Sequence, residues 1–183
     1  VGESGCGKST MGKSILRLTE PTAGAVRYDG QSLIDLPNRR MRELRQELQM
    51  IFQDPGSALN PRMKVKHLIR EPLENFRSLS HAELEERTDD LLEQVDLPTE
   101  VKDRYPHELS GGQQQRVVIA RAIALDPEVI VADEPVTGLD VSVQSNILAM
   151  LSKIQAELDL SLLFIAHDLA VVRHISDRVM VLY

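Results

Sequence analysis

Eight residues near the start of the chain, Gly2-Glu3-Ser4-Gly5-Cys6-Gly7-Lys8-Ser9, follow the pattern G-x-x-x-x-G-K-[ST]. No other feature constrains the fold as strongly. Glycines at these positions let a backbone curl until its N–H groups point inward at phosphate oxygens. A helix beginning directly afterwards adds its positive N-terminal end. Lys8 places a cation where β- and γ-phosphates would lie, and the Ser9 hydroxyl can ligate Mg²⁺. Gly2, Glu3, Ser4, Gly5, Cys6, Gly7, Lys8, Ser9 and Thr10 are therefore the first candidate binding residues. A Gly/Ser-rich turn can match the pattern by chance, so the rest of the chain has to supply context.

That context is an alternation of short apolar runs with helical patterns, which predicts an α/β class with a largely parallel sheet. Met11, Ile15 and Leu18 predict a helix ending near Pro21. Ala25–Tyr28 reads as a strand running into an Asp29-Gly30 turn, and Leu48–Phe52 as a second strand. Val65, Leu68, Ile69, Leu73 and Phe76 have helical spacing, with Pro72 expected to kink or divide the helix. Ser80-His81-Ala82-Glu83 is a capping box for the next helix, whose Glu85, Glu86, Asp89, Asp90 and Glu93 read as a solvated face. Arg39, Arg40, Arg42 and Arg45 read as solvated too. Helix from Gly111 to about Leu125, strand Val129–Ala132, a long helix capped by Asp140, and strands Leu162–Ile165 and Val179–Tyr183 complete the reading, with Asp168 capping a short helix between the last two. The expected organisation is an α/β core over 1–52 and 108–183, with a helical subdomain, 53–107, inserted between.

Three further stretches carry chemistry. Val129-Ile130-Val131-Ala132-Asp133-Glu134 is a β-branched run ending in two carboxylates. Asp133 suits orientation of Mg²⁺, and Glu134 suits polarisation of an attacking water. In Leu109-Ser110-Gly111-Gly112-Gln113, Ser110 can cap a helix while Gly111 and Gly112 leave its first N–H groups open to an anion. One nucleotide hardly needs two helix N-termini, so either two nucleotides bind or two chains share them. His167, beyond an apolar strand, can contact a γ-phosphate or position water, and Gln53, after its own strand, can contact Mg²⁺ or water. His67, His81, His107 and His174 lack metal-ligand spacing and receive no role.

Composition narrows the field. With 21 Lys and Arg against 28 Asp and Glu, the net charge is −7, the opposite of what broad nucleic-acid or anionic-membrane binding requires. The longest apolar run, Leu160–Ala166, is broken by Ser161 and falls far short of the roughly 18 residues a membrane span needs. The single cysteine excludes a disulfide framework or a multi-cysteine metal site and fits a reducing compartment. Cys6 invites a redox reading because helix N-termini lower thiol pKa values; a small residue at a variable loop position is the better one.

Taken in order, Gly2–Ser9, Gln53, Leu109–Gln113, Asp133-Glu134, Asp140 and His167 resemble the motifs of the ATP-binding cassette (ABC) ATPases. The resemblance covers essentially the whole chain. It implies a P-loop NTPase (RecA-like) core with the inserted helical subdomain, binding ATP and Mg²⁺. It also implies head-to-tail pairing with a second cassette chain, identical or merely similar, in which ATP is sandwiched between the phosphate loop of one chain and Ser110–Gln113 of the other. By the same match Glu134 is the catalytic base, His167 the switch histidine, and Asp140 the residue communicating across the dimer. Gln53 senses the γ-phosphate and relays it to a membrane partner; Ser9, Gln53 and Asp133 are the Mg²⁺ residues.

Phe52-Gln53-Asp54-Pro55 with Leu59-Asn60-Pro61-Arg62, Tyr105-Pro106-His107-Glu108, Leu139–Gln144 and His167–Arg173 resemble the oligopeptide/dipeptide importer branch. That branch implies solutes such as peptides, glutathione or nickel, a separate solute-binding protein, transmembrane permease subunits, and a place on the cytoplasmic face of the membrane. Gly138 departs from the more usual Ala and makes the loop more permissive. Because the chain opens at Val1 and stops at Tyr183 inside an apolar run, the expectation is a cassette cut at both ends, with the adenine-stacking aromatic outside the cut. Two other functions compete. A cassette acting on nucleic acid or ribosomes would, in its DNA-repair members, carry coiled-coil or zinc-binding insertions, which this chain lacks. A binding module that no longer hydrolyses would not need both Glu134 and His167.

Overall fold

A computed structural model describes residues 1–3 and 5–183; Ser4, one of the candidate phosphate-binding residues, lies outside the described residues. The architecture is built on a three-stranded parallel sheet in which β3 (Leu48–Ile51) and β5 (Ser161–Ile165) flank β4 (Val129–Asp133). Ile51 lies opposite Ala132, and Asp133 opposite Ile165, so all three strands end at one edge. The hairpin of β1 (Arg27–Tyr28) and β2 (Gln31–Ser32) turns through Asp29 and Gly30, both at positive φ, the conformation a two-residue hairpin loop demands.

Strand periodicity divides the interior in two. Val131 of β4 faces one side with Leu48 and Met50 of β3, Ile165 of β5, Leu16, and Met41 and Leu44 of α2 (Asn38–Leu44). Ile130 and Ala132 point to the other side, into a larger core. There they meet α6 (Gly111–Ile123) and α7 (Val141–Leu158) through Ile119, Ile123, Ile147 and Leu151. The same core contains Leu68, Ile69 and Leu73 of α4 (Val65–Phe76) and Leu91 and Leu92 of α5 (His81–Gln94). Residues 53–107 thus hold α4, α5, the short α3 (Pro55–Ala58) and a 3-10 turn at Thr99–Asp103, and they share one apolar core with α6 and α7. Burying such side chains is worth roughly 1.5–3 kcal/mol each before entropy is set against it.

Several expectations change in detail. Pro72 does not divide its helix: α4 runs unbroken from Val65 to Phe76. Its burial through Leu68, Ile69 and Leu73 offsets the one lost backbone bond. The first helix, α1 (Lys8–Ile15), stops before Leu18, which is 45% exposed. Arg17 turns the chain at φ 49°, and its guanidinium donates to the carbonyls of Leu33 and Leu36. Val179–Tyr183 forms no strand, only a single bridge of Leu182 to Gly2. The acidic face of α5 is not wholly solvated. Glu85 meets the buried Arg70 at 2.7 Å, and Asp89 meets Lys102 at 2.7 Å. Arg70 and Lys102 hold the Glu85 carboxyl below the usual carboxylate range, Arg70 contributing most. The Ser80 cap and the Asp168 cap of α8 (Leu169–Ile175) are both present, whereas Asp140 takes the N-cap position of α7 without a side-chain capping bond.

Gly12 shows how closely α1 lies on the sheet. A Cβ there would stand 3.0 Å from Ile165 Cδ1 and 3.1 Å from Val131 Cγ1. Gly12→Leu should overpack this contact and cost about 1–3 kcal/mol in urea unfolding, whereas Gly12→Ala should cost less.

Candidate functional site

At the edge where the three strands end, each delivers a polar residue. Gln53 follows β3, Asp133 ends β4 with Glu134 directly after it, and His167 follows β5. This edge of a parallel sheet is where ligands bind in α/β folds. The phosphate loop and the start of α1 close over it. Gly5, Gly7, Lys8, Ser9, Thr10, Gln53, Glu134 and His167 line one pocket of about 450 Å³. Gly5 and Gly7 hold φ values of 86° and 93°, a left-handed curl that suits glycine and brings the loop's backbone inward. Gly7 stands directly before the first turn of α1, so that helix opens on the pocket.

Lys8 is buried at 6% exposure, and its ammonium donates to the carbonyls of Gly2 at 2.8 Å and Glu3 at 2.7 Å. The Ser9 hydroxyl donates to Asp133 Oδ1 at 2.9 Å, across 124 residues of chain. Asp133 is itself 3% exposed. Ser9 lines the pocket together with Gln53, whereas Asp133 does not line it and is joined to it through the Ser9 hydroxyl; a hydroxyl backed by a carboxylate in this way fits Mg²⁺. That ion prefers hard oxygen donors and takes only one or two from protein, leaving the rest to phosphates and water. Among the described residues no cluster of three His, Cys, Asp or Glu could hold a metal unaided.

Glu134 is held unusually. Its backbone sits at φ 47°, a conformation side-chain-bearing residues seldom adopt, and its N–H donates to the Ile165 carbonyl of β5 at 2.9 Å. Gln53 Nε2 donates to Glu134 Oε2 at 3.2 Å, and His167 Nδ1 approaches the same oxygen at 3.3 Å. A third group, the Thr137 hydroxyl, donates to that oxygen at 3.0 Å. Thr137 is inconspicuous in the sequence. Its only signal was a hydroxyl three residues beyond the carboxylate, after a proline that favours a turn.

Ser110, Gly111, Gly112, Gln113 and Asp140 do not line this pocket. Ser110 caps α6 reciprocally with Gln113. Gly112 packs so tightly on α7 that a Cβ would come within 2.7 Å of Val143 Cγ1, and Gly111 lies beside Leu139. The second helix N-terminus thus packs against Leu139 and Val143, the residues on either side of the Asp140 cap position. Cys6, half-buried, lies 3.8 Å from the Lys8 ammonium.

The ABC transporter family model matches residues 1–137. The chain is 48% identical over its whole length to the oligopeptide transport ATP-binding protein AppF of Bacillus subtilis, covering 56% of that protein. It is 51% identical to the probable peptide ABC transporter ATP-binding protein y4tS of Sinorhizobium fredii, covering 52% of it. The chain spans little more than half the length of these curated relatives. Among solved structures, the dimeric ATP-binding cassette MJ0796 in a post-hydrolysis state with ADP and Pi superposes with a TM-score of 0.88 at 33% identity, over 99% of this chain and 78% of that one. CbiO1 of Clostridium perfringens, part of the ABC transporter complex cbiONQ, gives 0.88 at 31% identity, over 100% and 71%.

Ser9→Ala should leave the buried Asp133 carboxylate without its hydroxyl partner and lower stability by about 1–3 kcal/mol. Ser9→Thr should retain most of it. Urea unfolding of the two variants makes the comparison.

Proposed function

Since the chain belongs to the ABC transporter family, we propose that it forms the catalytic core of an ATP-hydrolysing subunit that energises import of peptides or related small solutes. The observation that carries this reading is the convergence of Lys8, Ser9, Gln53, Glu134 and His167 on one pocket at the ends of three adjacent parallel strands. Binding groups and a base meet there around the volume a triphosphate tail would fill.

The inward-curled backbone of Gly5–Ser9 and the Lys8 ammonium bind and orient the β- and γ-phosphates. Ser9, Asp133 and Gln53 would hold Mg²⁺, which supplies charge neutralisation between those phosphates when bound. Glu134 accepts the proton of the attacking water as the water oxygen bonds to the γ-phosphorus, and the bond to the ADP oxygen breaks to release phosphate. His167, within reach of Glu134, orients the carboxylate and the γ-phosphate. Gln53 contacts the same carboxylate and reports occupancy of the pocket to β3.

The separation of Ser110–Gln113 and Asp140 from this pocket supports the two-chain reading. A second cassette, identical or similar, would bring its own Ser110–Gln113 region over the phosphates bound here. Permease subunits would then meet the surface beside Gln53. Phe52, the preceding residue, is 39% exposed in a groove of about 740 Å³ that also holds Leu18, Arg42, Arg45 and Arg121. No helix among the described residues is long and apolar enough to cross a membrane. The likeness to ATP-binding proteins of peptide transporters supports a place at the cytoplasmic face of the membrane, with permeases carried on other chains and a solute-binding protein supplying them. The net charge of −7 gives no support to a nucleic-acid partner.

The test uses the full-length ATPase reconstituted with its membrane subunits. Glu134→Gln should keep ATP affinity, slow hydrolysis by about 10²–10⁴-fold, and accumulate the ATP-bound dimer in gel filtration. Lys8→Ala should instead weaken nucleotide binding itself. Undiminished steady-state turnover in Glu134→Gln overturns the assignment.

A further inference from the structure

The three groups that meet at Glu134 Oε2 are not equivalent. Gln53 and His167 arrive on separate loops, 81 and 33 residues distant in sequence, and both are exposed. Thr137 belongs to the turn that Glu134 itself begins. Its backbone N–H donates to the Glu134 carbonyl at 3.2 Å, and Pro135 fixes the turn's first torsion. The chain leaves through Gly138 at φ 79°, with the Leu139 N–H returning to the Val136 carbonyl. All these backbone bonds persist whatever side chain stands at 137, and the Thr137 side chain is exposed. On the far side, the Ile165 carbonyl pins the Glu134 N–H. The main chain of Glu134 is therefore anchored from both directions, and only its side-chain torsions remain to be set.

We propose that the Thr137 hydroxyl is a positioning group for hydrolysis: it holds Glu134 Oε2 within the turn and so commits Oε1 to receive the proton of the attacking water. Among the described residues the hydrogen bonds to this carboxylate, from Gln53 and Thr137, both reach Oε2, and His167 Nδ1 approaches the same oxygen. A carboxylate with one oxygen saturated presents the other in a fixed direction, and orientation of this kind separates a productive base from a merely nearby one. Gln53 and His167 can change partners as nucleotide enters and leaves, because neither moves rigidly with Glu134. Thr137 does, so its bond persists through such exchanges. The inference rests on Glu134 being the base.

Thr137→Val removes the hydroxyl at nearly constant shape, and Thr137→Ser keeps it without the methyl. Both are made in the full-length ATPase with its membrane subunits, alone and combined with Glu134→Gln. Thr137→Val should lower kcat about tenfold while KM for ATP and nucleotide affinity stay within about twofold, and Thr137→Ser should restore most of kcat. In the Glu134→Gln background, Thr137→Val should add no further loss. Wild-type kcat in Thr137→Val, or a Ser variant as slow as the Val one, overturns the proposal. So does a kcat fall matched by lost nucleotide affinity and lowered thermal stability, since that marks damage to the loop. If Glu134→Gln itself turns over normally, the base assignment fails first and takes Thr137 with it. If Glu134→Gln is inactive and Thr137→Val is normal, the positioning role alone is refuted.

Discussion

One hydrogen bond joins the two halves of the site. The Ser9 hydroxyl, in the first turn of α1, reaches Asp133 at the end of the central strand β4. It can do so only because α1 lies almost in contact with the sheet, a distance Gly12 permits and a larger residue would not. A buried carboxylate needs such a partner, since an unpaired one would be expensive to keep from water. The bond therefore ties the loop, the helix and the sheet edge into one unit.

With that unit in place, parallel topology does the rest. The strands β3, β4 and β5 run the same way, so residues that follow them in sequence emerge together. Gln53, Glu134 and His167 come from three distant parts of the chain and meet at the Glu134 carboxylate because adjacent strands lie only about 4.8 Å apart. The left-handed backbone at Glu134 is strained for a side-chain-bearing residue. Its N–H bond to the Ile165 carbonyl and the turn closed by Thr137 hold it there. This follows the general pattern in which strain collects where chemistry is carried out.

Much of this was legible in order along the chain. Capping residues Ser80, Ser110 and Asp168 announced their helices because each side chain bonds to a backbone N–H two or three residues ahead, an interaction contained in the local sequence. The β-branched run before Asp133 announced a strand buried on both faces. Where the structure departs from the local pattern, the deciding partner is remote. Leu18 falls outside α1 because Arg17 is drawn to carbonyls at 33 and 36. Pro72 sits inside an intact helix because α4 is held by the core it shares with α6 and α7. Glu85 is paired because Arg70, on another helix, is buried beside it. Thr137 went unnoticed because a hydroxyl in a turn is ordinary until the carboxylate it faces is known to be shared.

The sequence by itself determined the α/β class, the phosphate-binding loop, the capped helices and the identities of the polar residues at the strand ends. Those depend on local patterns of period two or 3.6 and on short-range backbone chemistry. Only the tertiary structure decided that Ser9 pairs with Asp133, that Gln53, Thr137 and His167 gather at Glu134 Oε2, and that Ser110–Gln113 and Asp140 do not line that pocket. These are distances between residues tens of positions apart. They follow from how helices and strands pack, which a linear pattern does not contain.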